Sequence, residues 1–248
     1  MVGTGTQPVI SVQDAGVRFH RGQRHRSMRD FLIRGGRGAR SGEFWALDGV
    51  SFDVHAGEAI GVVGRNGQGK STLLKLIAGV MLPDRGSVAV DAGVAPLIEI
   101  TGGFVNDLTV RDNIALTAGL HGMSKADIAE RFDEIVDFAE IPEFLDTPYK
   151  HLSSGMKVRI AFAVVSRLEE PIILVDEVLA VGDKAFKRKC YARIDELVTS
   201  GRTLFLVSHS ESDLQRFCER GLYLRMGRLV EDGPIAEVLA RYETDAVT

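Results

Sequence analysis

Cysteine is scarce in this sequence of 248 residues, which contains only Cys190 and Cys218. The two residues show neither the spacing of a metal-binding pair nor that of a redox-active pair. A fold that depends on disulfide bonds is therefore not expected, and a reducing cytoplasm is the expected environment.

Long hydrophobic runs and an excess of positive charge are also missing. The strongest apolar stretches, Ala59–Val63 and Ile172–Val175, are far shorter than the roughly 18 residues that a membrane-spanning helix needs. Met1–Pro8 lacks the basic start and apolar run of a signal peptide. The net charge of −4 and the pI of about 5.9 do not favour nucleic acid as a partner. We expect a chain that acts on a membrane only through a membrane-embedded partner.

The residues that are present indicate an α/β protein. A hydrophobic fraction of 45% and a charged fraction of 26% suit one large soluble domain, or two very small ones. Several apolar runs are continuous, which is typical of strands buried on both faces of a parallel sheet. Helical patterns lie between them, over Ser71–Val80 and over Lys125–Glu140, where Ser124 and Asp127 form a capping-box pattern. The predicted strands are Val9–Val12, Ala59–Val63, Val94–Ile98, Ile172–Val175 and Thr203–Val207.

Three regions depart from this alternation of strands and helices. Residues 107–168 have mostly helical patterns and are predicted to form a helical subdomain inserted into the α/β core. Gly221–Gly233 is predicted to be a hairpin that turns at Met226-Gly227. Residues 20–44 are an insert rich in arginine and glycine. A solvated loop is the simpler interpretation of that insert.

The segment from Gly64 to Thr72 fits the phosphate-loop pattern G-x-x-x-x-G-K-[ST], between an apolar strand and an apolar helix. Glycines let successive backbone N–H groups face one anion at the positive end of the following helix. Lys70 would reach the β- and γ-phosphates, and the Ser71 hydroxyl would bind Mg²⁺. The predicted ATP-binding residues of this loop are Gly64, Asn66, Gly67, Gly69, Lys70, Ser71 and Thr72.

Two adjacent carboxylates, Asp176 and Glu177, end the buried run Ile172–Val175. Successive side chains of a strand point to opposite sides, so the two carboxylates are expected to have different tasks. Asp176 is predicted to hold Mg²⁺, and Glu177 to act as the base that activates the attacking water. An acidic pair facing solvent is the alternative, and the phosphate loop upstream favours the catalytic interpretation.

Leu152-Ser153-Ser154-Gly155-Met156 resembles the L-S-G-G-Q signature of ATP-binding cassettes, with Ser154 and Met156 replacing a glycine and the glutamine. Alone, such a segment is more typical of an ordinary helix start. It precedes the acidic pair, as the signature does in cassette ATPases. The resemblance extends from about Val9 to Glu237, and it implies a P-loop NTPase (RecA-like) core with an antiparallel β subdomain and the helical subdomain, all within one nucleotide-binding domain, residues 1–248.

The resemblance assigns further roles. Cassette ATPases pair head to tail, which implies that Ser153 and Gly155 bind the γ-phosphate held by a second copy. Phe19 matches the aromatic residue that stacks on adenine, and the alternative is an ordinary core aromatic at a strand end. Asp183 matches the loop that contacts the opposite site, and His209 matches the catalytic histidine near the γ-phosphate. Glu99 stands where the family usually has a metal-sensing glutamine, so its metal role is the weakest of these correspondences.

Finer features resemble the exporters of cell-surface polysaccharides and teichoic acids. They are the altered signature, the segment Asp176–Asp183, the segment Thr101–Phe104 and the insert before Phe44-Trp45-Ala46-Leu47. The resemblance implies an ATP- and Mg²⁺-dependent homodimer at the cytoplasmic face of the membrane, where a separate permease moves a lipid-linked glycan. Residues 20–44 would then contact that permease or anionic lipid. The alternative class is a soluble cassette ATPase not linked to transport.

Overall fold

A computed structural model describes residues 7–20, 42–97, 103–176 and 183–247. Residues 21–41 of the arginine-rich insert, Glu99 and Glu177 lie outside these ranges. The described strands are β1 (Ile10–His20), β2 (Glu43–Val54), β3 (Ala59–Val63), β4 (Arg85–Val90), β5 (Val94–Leu97), β6 (Ile172–Asp176), β7 (Thr203–Val207), β8 (Arg220–Arg225) and β9 (Arg228–Pro234). The described α-helices are α1 (Lys70–Ile77), α2 (Val110–Leu120), α3 (Lys125–Ala139), α4 (Ser154–Val165), α5 (Lys184–Thr199), α6 (Glu211–Phe217) and α7 (Ile235–Val247).

Six strands form the central sheet, in the order β5-β6-β7-β3-β8-β9. All neighbours are parallel except β8 and β9, which form the predicted antiparallel hairpin. Every residue of β3 and β7 is buried, as their continuous apolar sequences predict. Because β3, β6 and β7 are parallel, their carboxyl ends lie at one edge of the sheet, where the phosphate loop begins.

A second sheet has three antiparallel strands in the order β2-β1-β4. Its inward side chains, such as Val12 and Val50, share one hydrophobic core with Ile60 of β3 and with Leu73 and Leu74 of α1. This core holds the small sheet against the phosphate-loop side of the central sheet, in agreement with the antiparallel subdomain that the resemblance implies.

Strand β1 is longer than predicted, and β2 and β4 were not among the predicted runs. Their sequences mix buried and exposed positions, as in β2, where Val50, Phe52 and Val54 are buried and Ser51 and Asp53 are exposed. Strand β1 also contains register shifts, and Asp14 has a positive φ of 47°. These irregularities interrupt the apolar pattern on which the prediction relied.

The predicted helical region contains α2, α3 and α4, which pack around Ile114, Ile135 and Ile160. The predicted capping box is present, because Asp127 N donates to Ser124 Oγ and Ser124 N donates to the Asp127 carboxylate. On its other side α4 packs through Phe162 and Val165 against the core beneath β5 and β6. Within the described ranges, no helix is long and apolar enough to cross a membrane.

Candidate nucleotide site

The loop between β3 and α1 has the backbone that its glycines predict. Gly64, Gly67 and Gly69 have φ angles of 152°, 77° and 102°, a region that favours glycine. A Cβ on Gly64 would lie 2.4 Å from the carbonyl oxygen of Leu224, and one on Gly69 would lie 2.4 Å from that of Ala46. A Cβ on Gly67 would meet nothing within 4 Å. The loop therefore packs against β8 and β2 at two of its glycines and is open at the third.

Lys70 is the first residue of α1, and only 6% of its surface is exposed. Its Nζ donates to the carbonyl oxygens of Gly64 at 2.7 Å and of Arg65 at 3.1 Å, so the ammonium lies inside the curve of the loop. The loop thus combines a buried cation with the positive end of a helix, which is the electrostatic environment that a polyphosphate needs.

Gln68 joins the phosphate loop to the turn between β8 and β9. Its side-chain oxygen accepts a hydrogen bond from Met226 N, at the turn between β8 and β9. No sequence pattern indicates this contact, because it joins residues that are distant in the chain and Gln68 occupies a variable position of the phosphate-loop pattern.

A cleft of about 410 Å³ lies over the loop. The phosphate loop supplies its polar lining, and apolar residues from β1 and β2 supply the rest. Phe19, the predicted adenine-stacking residue, lines the cleft, and so does Phe44, which was not among the predicted site residues. The lining residues are Phe19, Phe44, Ala46, Asn66, Gly67, Gly69, Lys70, Ser71 and Thr72.

Asp176 and His209 follow neighbouring strands at the same edge of the sheet. In the register of the sheet, Asp176 pairs with Val207, which pairs in turn with Val62 just before the loop. Asp176 is partly buried at the end of β6, and His209 is exposed after β7. The topology therefore brings both predicted residues to the loop edge. The chain leads directly from Asp176 to Glu177, whose own position is not described.

The signature segment lies on a different part of the molecule. Ser153 is the N-cap of α4, and its Oγ accepts from Met156 N at 3.2 Å. Gly155 is in the first turn of α4, where a Cβ would meet nothing within 4 Å. Ser153 is exposed, and neither residue is among those that line the cleft of the same chain. The start of α4 is thus an accessible helix N-terminus.

Asp183 is held within its own chain. Its carboxylate caps α5 by accepting from Ala185 N at 2.8 Å and from Phe186 N at 2.9 Å. It also accepts from Arg159 of α4, whose guanidinium bonds to Glu140 at 2.6 Å. The Phe186 amide, with the Ala185 amide and Arg159, lowers the pKa of the Asp183 carboxyl despite some desolvation. In this conformation Asp183 joins the signature helix to the start of α5.

The sequence profile described as "ABC transporter" matches residues 47–180, which is more than half of the chain. The chain belongs to the ABC transporter family. The matched range includes the phosphate loop, the signature segment and the acidic pair Asp176-Glu177. Phe19, Asp183 and His209 lie outside it, and so does Phe44.

Curated ABC relatives resemble most of the chain. The O-antigen export system ATP-binding protein RfbB of Klebsiella pneumoniae is 42% identical over 81% of this chain and 82% of its own length. ABC transporter protein AbcA of Aeromonas salmonicida is 43% identical over 80% of this chain and 65% of its own length. The teichoic acids export ATP-binding protein TagH of Bacillus anthracis is 42% identical over 87% of this chain, which corresponds to 39% of the longer TagH.

Solved structures resemble the fold at low sequence identity. A dimeric post-hydrolysis structure of the ATP-binding cassette MJ0796 with ADP and Pi is 22% identical, has a TM-score of 0.74, and matches 91% of this chain and 98% of that one. An ATP-binding subunit of an ABC transporter is 24% identical with a TM-score of 0.74, and covers 95% of this chain and 93% of that one. The predicted α/β cassette fold is confirmed.

Proposed function

We propose that this chain is the ATP-hydrolysing subunit of an exporter that moves a lipid-linked cell-surface polysaccharide across the cytoplasmic membrane. The observation that carries the proposal is the cleft over the phosphate loop, with Lys70 buried inside the loop's curve. The choice of cargo is supported by the name of the relative that matches four fifths of the chain, an O-antigen export protein.

The loop and its surroundings suit the triphosphate of ATP. The open side of the loop at Gly67 and the N-terminus of α1 offer backbone N–H groups to phosphate oxygens. Lys70 would exchange the carbonyls of Gly64 and Arg65 for phosphate oxygens, which are stronger acceptors for an ammonium group. Asn66, Ser71 and Thr72 complete the polar lining of the cleft.

The donor set also fits Mg²⁺, which prefers oxygen ligands and usually binds through one or two carboxylates together with substrate phosphates. The Ser71 hydroxyl lines the cleft, and the Asp176 carboxylate lies at the end of β6 on the same sheet edge. We propose these two residues as the Mg²⁺ ligands, and Glu99 as a third candidate. Held there, Mg²⁺ would offset the negative charge of the phosphates.

Hydrolysis needs a water molecule held in line with the γ-phosphate. We propose that Glu177, which follows the metal-binding Asp176, orients this water and accepts its proton. His209 follows β7 at the same edge and would hydrogen-bond the γ-phosphate or the water.

The working unit of the proposal is a head-to-tail dimer. Ser153 and Gly155 belong to an exposed helix N-terminus that does not line the cleft of its own chain. A second copy would bring that N-terminus to the open side of the cleft, where its amides and dipole would face the γ-phosphate. Closure of two copies around ATP would then drive a permease bound at the cytoplasmic face of the membrane.

Teichoic acid or another lipid-linked glycan is the second candidate cargo, favoured by the 42% identity to TagH. A soluble ABC ATPase without a transport role is the candidate of a different class. Co-expression distinguishes an exporter subunit from a soluble ATPase. An exporter subunit is recovered with membranes only when its permease is present, whereas a soluble ATPase stays in the supernatant in both cases.

Glu177→Gln tests the catalytic part of the proposal. The variant should bind ATP with Mg²⁺ as tightly as the unchanged chain, but it should lose turnover and accumulate as an ATP-bound dimer in size-exclusion chromatography. Lys70→Met is the matched control, since it should lose ATP binding and therefore the dimer. Retained turnover in Glu177→Gln would remove Glu177 from the role of base.

A further inference from the structure

Two phenylalanine rings lie side by side in the lining of the cleft. Phe19 of β1 and Phe44 of β2 are opposite each other in the antiparallel register. Their ring centroids are 6.0 Å apart, and the ring planes are inclined by 33°. Phe19 is 40% exposed and Phe44 is 42% exposed, and both rings line the cleft.

Other apolar side chains of the same small sheet, such as Val17 and Leu47, are buried in the shared core. Trp45 of β2 is also exposed, at 37%, but two arginine guanidinium groups lie over its ring. Neighbouring exposed apolar side chains in a concave site indicate a surface that is covered when a ligand binds. Phe19 and Phe44 lie beside the phosphate loop, so the ligand that covers them is expected to be the one that the loop holds.

The lining of the cleft has a polar part and an aromatic part. Its polar lining residues belong to the segment 66–72, and Ala46 borders this segment at Gly69, whereas Phe19 and Phe44 supply the aromatic part of the lining. Within the lining that the structure describes, the aromatic part therefore offers two π-faces. Such a surface recognises the face of a base rather than the donors and acceptors on its edge.

The ring geometry also defines how a base would be held. A flat base between two parallel rings would separate them by roughly 7 Å, twice an ordinary carbon–carbon contact. The rings of Phe19 and Phe44 are closer than this and are not parallel. A base would thus lie across both rings on one side, and each ring would cover part of its area.

We propose that Phe44 is a base-binding residue and that Phe44 and Phe19 together form a two-ring platform for the purine of a nucleoside triphosphate. This inference rests on the proposed ATPase function and adds a second aromatic contact to it. The alternative is that Phe44 only supports the ring of Phe19 and does not touch the nucleotide.

Equilibrium binding with three probes tests the platform: ATP, GTP and inorganic tripolyphosphate. Stacking on aromatic side chains is shared here by two rings, so Phe44→Ala should raise the Kd for ATP and for GTP by about 2-fold to 13-fold. It should leave the Kd for tripolyphosphate unchanged, because that ligand has no base. Phe44→Trp should keep nucleotide affinity. Phe44→Leu should weaken nucleotide binding as Phe44→Ala does, while its larger side chain disturbs strand β2 less.

Phe144→Ala is the matched control, since Phe144 is 39% exposed and lies in a short 3-10 helix away from the cleft lining. It should change none of the three Kd values. The decisive comparison is made in a Phe19→Ala background. There, Phe44→Ala should weaken ATP binding further if Phe44 touches the base, and should change nothing if Phe44 only supports Phe19.

Three results would overturn the inference. They are an unchanged ATP affinity in both Phe44→Ala and Phe44→Leu, an equal loss of tripolyphosphate affinity, and no further loss in the Phe19→Ala background. Failure of the proposed ATPase function would look different. An unchanged chain that bound ATP but did not hydrolyse it would overturn only the proposed function, whereas one that bound neither ATP nor tripolyphosphate would overturn both.

Discussion

Gly67 and Gly69 form a natural pair for testing how the phosphate loop is built. Both have positive φ, at 77° and 102°, so an alanine at either position is strained by about 1–2 kcal/mol. The space around them differs. A Cβ at position 67 would meet nothing within 4 Å, whereas one at position 69 would lie 2.4 Å from Ala46 O and 2.8 Å from Leu47 Cδ2.

The contact at position 69 involves the backbone of β2, which cannot move without disturbing the small sheet. Forcing extra volume into a packed site typically costs about 1–3 kcal/mol. Gly69→Ala should therefore lower the free energy of unfolding by about 2–5 kcal/mol in total. Gly67→Ala should lower it only by the conformational part, about 1–2 kcal/mol. For a domain of this size, each kcal/mol lowers the Tm by about 2–4 °C.

Urea and thermal unfolding of the nucleotide-free variants measure this difference directly. Gly69→Ala should be clearly the less stable of the two, and the m-value should stay unchanged if only the native state is affected. Equal stability of the two variants would contradict this prediction, because it would mean that the loop does not pack against β2 at Gly69.

Two further predictions concern residues around the site. Asp183→Asn should destabilise the chain less than Asp183→Ala, because an amide oxygen can still cap α5 while the charge pair with Arg159 is lost. The pKa of the Asp183 carboxyl is lowered in the folded chain, so the stability that its charge contributes should be complete above about pH 4 and be lost as the pH falls through the folded-state pKa, and aspartate should then resemble asparagine. Burial raises the pKa of Cys190 and Cys218 to about 12, so neither thiol should react with a disulfide reagent at pH 8 unless urea unfolds the chain; fast labelling of the native protein would contradict this.

The buried parts of the fold were predictable from the sequence because their patterns are local. The runs Ala59–Val63 and Thr203–Val207 coincide with β3 and β7, and the phosphate-loop pattern occurs between a strand and a helix as expected. Strands β2 and β4 carry mixed exposed and buried residues, so they lack the continuous apolar run that identified the others.

The site was predictable where a motif is contiguous, and not where it depends on pairing between distant residues. Phe44 enters the cleft because β2 aligns it with Phe19, and Gln68 contacts Met226 only because β8 and β9 turn beside the loop. Asp183 was expected at the opposite site, a role that stays a prediction. The structure adds that its carboxylate bonds to α5 and Arg159, contacts that no spacing in the sequence indicates.

In the proposed dimer the nucleotide is held between two copies of the chain, and disulfide cross-linking can detect this arrangement. Asn66 and Ser153 are both exposed, and the native Cys190 and Cys218 are buried, so two single replacements, Asn66→Cys and Ser153→Cys, can be made in separate Glu177→Gln chains with low background. A disulfide forms only if the two Cα atoms approach within about 7 Å. We expect a covalent dimer when the two variants are mixed with ATP under oxidation, and none from either variant alone or without ATP. Absence of that dimer, from variants that still bind ATP, would contradict the shared site.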